Sequence, residues 1–127
     1  MIKHQYSQRV YFSDTDCQGI VYHAKYLDFA EHARTEMIRE KVDQSKLLED
    51  NVGFVLKELN IVYHTPAKLG NVLFVETSIE QLKTFSVYLK QEIKRNDDLI
   101  CVIKVKVGCI DFVKNKVLKV SDYLTFE

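Results

Sequence analysis

Asp14 and Asp16 stand two residues apart in the stretch Ser13-Asp14-Thr15-Asp16-Cys17-Gln18-Gly19, and a helical period begins soon after, near Ala24. A carboxylate is ionised at neutral pH, so it can attack an electrophilic carbonyl or activate a water molecule. A helix start exposes backbone N–H groups and a partial positive charge, so it can hold an oxyanion that develops nearby. Tyr22 and His23 precede the helical period, and neither is a Ser, Thr, Asn or Asp cap that would occupy those donors. Carboxylate and unspent donors together suit acyl chemistry. The structural alternative is equally direct, because Asp beside Thr and Gly is common turn chemistry, and both carboxylates would then only brace a loop. Spacing alone does not choose, since residues i and i+2 share a face in an extended segment but not in a loop.

Other chemistries find less support. The four histidines, His4, His23, His32 and His64, form no HExxH-type pair. His23 stands out by its address, and its side chain is open to two roles, bracing the loop or serving as acid or base. There is no GxSxG element for a serine nucleophile. Cys17, Cys101 and Cys109 are odd in number and lack CxxC spacing, which argues against a disulfide framework and a zinc site and for a reducing compartment. Cys17 is expected to be buried or partly buried rather than nucleophilic, since a thiolate role needs a lowered pKa.

The elements that must position these residues can be read from periodicity. Tyr6 to Phe12 reads as a first strand stopped by Ser13-Asp14. From Ala24 to about Glu40, Tyr26, Phe29, Ala30, Ala33 and Met37 recur at three- and four-residue spacing, with Leu27 and Ile38 at the stripe's edges, while charged residues mostly take the other face. A short second helix is expected over Ser45 to Glu49, capped by Ser45. After Gly53 the period becomes two. Phe54 to Tyr63 is apolar enough for a largely buried strand, broken by His64-Thr65-Pro66. Val72 to Ile79, Phe85 to Ile93 and Leu99 to Cys109 follow, with turns at Gly70-Asn71 and Asn96-Asp97-Asp98, and the last of the three, keeping Lys104 and Lys106 outward, is expected to be central. Val117, Leu118 and Val120 suggest a final short strand before a polar, frayed tail.

One strand, one long helix and then four or five antiparallel strands define an α+β fold, a curved antiparallel sheet wrapped around one long helix. At 127 residues the chain is expected to form a single domain, residues 1–127, with a proper core. Lys plus Arg and Asp plus Glu balance at 18 each, so no global field favours nucleic acid. The start of the chain has no leader-like apolar core, and no apolar run is long enough to span a bilayer, so a soluble cytoplasmic protein is expected, with peripheral membrane contact left open. Exposed sheet edges point to edge-to-edge association with a cleft between subunits.

The residues Asp14-Thr15-Asp16, Gly19-Ile20-Val21-Tyr22-His23, Tyr26, Glu31, Ala33, Arg34, Thr35 and Glu36 carry a DxDxxGxVxH signature followed by ExAR. This resembles the hotdog-fold acyl-CoA thioesterases, most nearly the bacterial Tol–Pal-associated branch, kin of the 4-hydroxybenzoyl-CoA thioesterases. The likeness is densest over Val10 to Arg39 and continues more loosely to about Tyr123. It implies hydrolysis of acyl-CoA thioesters, with Asp16 as the essential carboxylate, Asp14 in support and the backbone N–H of His23 as oxyanion donor. It further implies substrate contacts at Gly19, Val21, Tyr22 and Tyr26, with Lys83, and Lys90 close by, toward the CoA phosphates. The stretch Gln81-Leu82-Lys83-Thr84 departs from relatives with aryl substrates, which carry more arginine there. No metal and no organic cofactor are implied, because thiolate leaves readily. The implied assembly is a homodimer or homotetramer, with an acyl carrier protein as a further partner at the inner membrane. Two alternatives keep the fold but change the activity: a non-catalytic acyl-thioester or acyl-carrier-protein binding module, and a dehydratase or hydratase using His23 as acid or base.

Overall fold

Residues 3–125 are described by the computed structural model. Strand β1 (Lys3–Arg9) leads through a 3-10 turn (Phe12–Asp14) and a loop into helix α1 (Lys25–Arg39) and the short helix α2 (Gln44–Glu49). Strands β2 (Val52–Tyr63), β3 (Val72–Leu82), β4 (Val87–Arg95), β5 (Asp98–Asp111) and β6 (Lys116–Leu118) complete the chain with a last 3-10 turn (Val120–Asp122). All pairings are antiparallel, in the order β1-β3-β4-β5-β2, and β6 joins the far end of β5.

The helix forms where the apolar period is strongest and buries that stripe: Tyr26, Phe29, Ala30, Ala33, Met37 and Ile38 are all buried. Against them stand Leu73 and Val75 of β3, Leu89 and Ile93 of β4, and Cys101 and Ile103 of β5, in one continuous core. Strand β5 lies between β4 and β2, an interior place next to the edge, while β4 takes the middle of the order. Removing this much apolar surface from water holds the helix on the concave side of the sheet.

Several boundaries differ from the sequence expectation for physical reasons. The first strand ends at Arg9 rather than Phe12, because Asp14 Oδ2 accepts from Tyr11 N at 2.8 Å and closes the 3-10 turn, leaving Tyr11 and Phe12 exposed. Asp43, not Ser45, caps α2, its carboxylate accepting from Ser45 N. Phe85 falls in the β3–β4 connection and is exposed, with β4 starting at Val87. Strand β2 is not largely buried: it forms a sheet edge, where Leu56, Val62 and Tyr63 each keep nearly half their surface exposed. Among the described residues the segment after β6 is not frayed, since Val120 and Leu124 are fully buried; the last two residues of the expected tail lie outside the described residues.

Candidate active site

The loop between β1 and α1 closes as a small hairpin. Asp16 N donates to Ile20 O at 2.9 Å, Gly19 N donates back to Asp16 O at 3.0 Å, and Thr15 pairs with Val21. Gly19 has φ +79°, a left-handed conformation that glycine adopts without Cβ strain. The hairpin is stitched to the β2–β3 connection, where Val21 N donates to Ala67 O at 2.9 Å and Ile20 pairs with Lys68.

The two aspartates separate by environment. Asp14 is buried, its Oδ2 accepts from Tyr11 N, its backbone oxygen accepts from Tyr22 N at 2.9 Å, and Lys25 Nζ lies 3.9 Å from Oδ1. These bonds make it the brace between turn and helix. Asp16 is half-buried, with Oδ1 accepting from Gln18 N at 2.8 Å and no donor on Oδ2 among the described residues. One carboxylate therefore has a structural partner on each side, and the other keeps an oxygen available.

The helix start carries no side-chain cap. Lys25 N donates to Tyr22 O at 2.8 Å, which turns that carbonyl toward the first helical turn. In a trans peptide the N–H points opposite to the C=O, so the His23 N–H faces away from the helix, and it meets no acceptor among the described residues. Tyr63 O–H donates to His23 O at 2.8 Å and holds the next peptide as well.

His23 lines a groove of about 210 Å³ together with Ile20, Val21, Tyr26, Tyr63, His64, Thr65 and Pro66. Tyr26 forms its buried floor, with its hydroxyl oxygen accepting from Ala67 N at 3.0 Å and its ring edge-on to Tyr63. Burial pushes the Tyr26 phenol pKa up, and the Ala67 N–H pulls part of that back. Tyr22 is exposed and packs on the His23 ring, with centroids 4.4 Å apart. Val21 is buried beneath the groove.

The fold thus brings Asp16, Gly19, Val21, Tyr22, His23 and Tyr26 to one end of the sheet. Lys83 lies elsewhere. It sits in the β3–β4 connection with Nζ 5.4 Å from the Tyr88 ring centroid, while the other end of the eleven-residue β3 adjoins the loop. At the usual rise the two ends of that strand are roughly 30 Å apart, so one chain does not join Lys83 to the groove. Tyr63, His64 and Pro66, read from sequence only as a strand end and its break, supply the groove's opposite wall. The available signal was the single proline closing an apolar strand.

Cys17 is exposed, contrary to the expected burial, because the hairpin tip carries it outward from the core. Cys101 and Cys109 are buried in β5, and burial drives the Cys101 thiol up to about 12 and raises Cys109 as well. Titration of the native protein with a thiol reagent near pH 8 should therefore count one fast thiol, with the other two reacting only on unfolding. More than one fast thiol in the native state would contradict this packing.

An edge-exposed, helix-filled antiparallel sheet with a carboxylate loop at the helix start defines a class. The chain matches the Thioesterase-like superfamily over residues 10–125, and it belongs to that family, with the hotdog fold. Among curated proteins it is 43% identical over 110 residues to the acyl-CoA thioesterase YbgC of Haemophilus influenzae, covering 85% of this chain and 81% of that one. It is 37% identical over 110 residues to the acyl-CoA thioester hydrolase YbgC of Escherichia coli O157:H7, covering 85% and 82%. The crystal structure of a probable thioesterase from Bartonella henselae superposes with a TM-score of 0.82 at 30% identity, covering 92% of this chain and 96% of that one.

Proposed function

We propose that the chain hydrolyses acyl-CoA thioesters to free acid and CoA, with Asp16 as the working carboxylate and the His23 N–H as oxyanion donor. The observation that carries this is the contrast between the aspartates: Asp14 is spent on the fold, whereas Asp16 keeps Oδ2 free beside a helix start whose His23 N–H points outward. The enzymatic class is that of the curated relatives, which bear the names acyl-CoA thioesterase and thioester hydrolase.

In the reaction the thioester carbonyl oxygen accepts from the His23 N–H, which stabilises the charge that grows on it. Asp16 either bonds to the carbonyl carbon, forming a mixed anhydride that water then opens, or takes a proton from the water that attacks. In both routes the C–S bond breaks and CoA leaves as thiolate. A thiolate needs little help from a general acid, so one carboxylate and one donor suffice.

The groove of a single chain is open toward the β2 edge through Tyr63, which supports a homodimer or homotetramer whose partner edge closes the acyl pocket. Lys83 of a neighbouring subunit is the proposed CoA phosphate contact. The branch resemblance adds an acyl carrier protein as a proposed partner and the Tol–Pal system at the inner membrane as a proposed setting. Among the described residues no helix is long and apolar enough to cross a membrane.

Short, long and aromatic acyl-CoAs should each be tested by loss of thioester absorbance, a readout that the exposed Cys17 does not disturb. Free acid and CoA are the expected products. An intact thioester with altered carbon–carbon unsaturation would instead favour the dehydratase class, and binding without turnover of any acyl-CoA would favour the binding module.

A further inference from the structure

In the middle of the sheet, beneath α1, stand two polar side chains that an apolar core does not require. Thr77 of β3 and Gln91 of β4 are register partners, and both are 0% exposed. Their neighbours along the strands, Val75, Ile79, Leu89 and Ile93, are buried and apolar. Gln91 Nε2 donates to Ala30 O at 2.8 Å and to Thr77 Oγ1 at 3.0 Å, while Gln91 Oε1 accepts from Arg34 Nη1 at 3.0 Å. Burying an amide is costly unless its polar atoms are paired, and here both donors and the acceptor are used.

Two of the three bonds end on α1. The buried small residues Ala30 and Ala33 let the middle of the helix approach the sheet closely, between the bulkier buried side chains Tyr26, Phe29, Met37 and Ile38, whose apolar contacts are not directional. Hydrogen bonds are directional where apolar contact is not, so the Gln91 clasp selects one axial position. A slip of one residue would move the helix start by about 1.5 Å. A misplacement of about 1 Å at a reacting group can lower turnover on the order of a hundredfold.

We infer that Gln91 is a positioning residue for thioester hydrolysis: by gripping Ala30 O and Arg34 it sets the axial position of α1 and so keeps the His23 N–H on the thioester carbonyl. This rests on the oxyanion-donor role proposed for that N–H. Gln91→Met keeps length and volume and removes all three bonds. Per folded active site, it is expected to lower kcat by about tenfold or more with KM held within about twofold, and circular dichroism with a thermal melt of the same sample separates this from loss of folded protein, which lowers apparent kcat without touching KM.

Infrared spectroscopy of a thioester bound to the slow Asp16→Asn protein reads the donor directly, since a hydrogen bond to the carbonyl lowers its stretching frequency. The shift should be present in Asp16→Asn and reduced when Gln91→Met is added. A full shift in both, or an unchanged kcat in Gln91→Met, would overturn the role of the clasp. No shift in either would remove the oxyanion-donor reading itself, and the clasp with it. Where the Met variant does not fold, Gln91→Leu likewise removes all three bonds without adding a buried charge and carries the same expectation. Failure of both to fold would overturn the inference in favour of a purely structural residue.

Discussion

Asp16→Asn is expected to lower kcat for acyl-CoA hydrolysis by about 10³-fold while leaving substrate binding close to that of the native protein. Asparagine keeps the shape and can still accept from Gln18 N, so the hairpin and the position of Gly19 survive. What disappears is the negative charge on the oxygen that no donor among the described residues occupies. Steady-state kinetics, paired with calorimetric titration of a non-hydrolysable acyl-CoA analogue, separate the two effects, and equal turnover in both proteins would sink the assignment of Asp16. The contrast with Asp14 sharpens the test. Asp14→Asn acts on a buried side chain that holds the Tyr11 N–H, so its effect should fall first on stability and only secondarily on kcat.

A loss of about 10²- to 10³-fold in kcat is expected for His23→Pro, the range seen when a single oxyanion donor is removed. Proline deletes the N–H together with the imidazole, and a helix tolerates it at the start, where the first N–H groups have no intrahelical partner. The residue before a proline is pushed away from helical geometry, and Tyr22 lies outside α1. His23→Ala is the necessary companion: it keeps the N–H and removes the imidazole, so it should cost less than about tenfold. The two substitutions at one position therefore divide backbone from side chain. A fall in His23→Ala as deep as that in Asp16→Asn would assign the chemistry to the ring, and an active His23→Pro would refute the backbone donor.

Much of this site was legible along the chain. The three- and four-residue recurrence of Tyr26, Phe29, Ala30, Ala33 and Met37 located the helix and its buried face, because a helical stripe is a local property of spacing. The alternation from Leu99 to Cys109 located the longest strand and its buried face for the same reason, though not its place beside the edge. The DxDxxG stretch and the uncapped helix start marked where chemistry could occur. The errors lie where a side chain chooses between local partners. Asp14 closing on Tyr11 ended β1 early, and Asp43 displaced Ser45 as the cap of α2; both choices turn on one hydrogen bond.

Strand β2 shows a different limit. Its composition suits burial, but composition does not say whether a strand is central or at an edge, and only the pairing order leaves Leu56, Val62 and Tyr63 uncovered in a single chain. Gln91 is similar: its phase with Val87, Leu89 and Ile93 gives its face, but its three bonds appear only when β3, β4 and α1 are stacked.

Near-neighbour pattern thus sufficed for the elements, the register of the helix face and the address of the carboxylates. It could not divide labour between Asp14 and Asp16, build the groove's far wall or seat the helix on the sheet. Those features join residues distant in sequence, as Tyr63 with His23 at a separation of 40 and Ala67 with Tyr26 at 41. Local spacing constrains dihedral angles and faces, whereas such meetings depend on how the whole sheet curls and which strands it pairs, and only the folded chain brings them about.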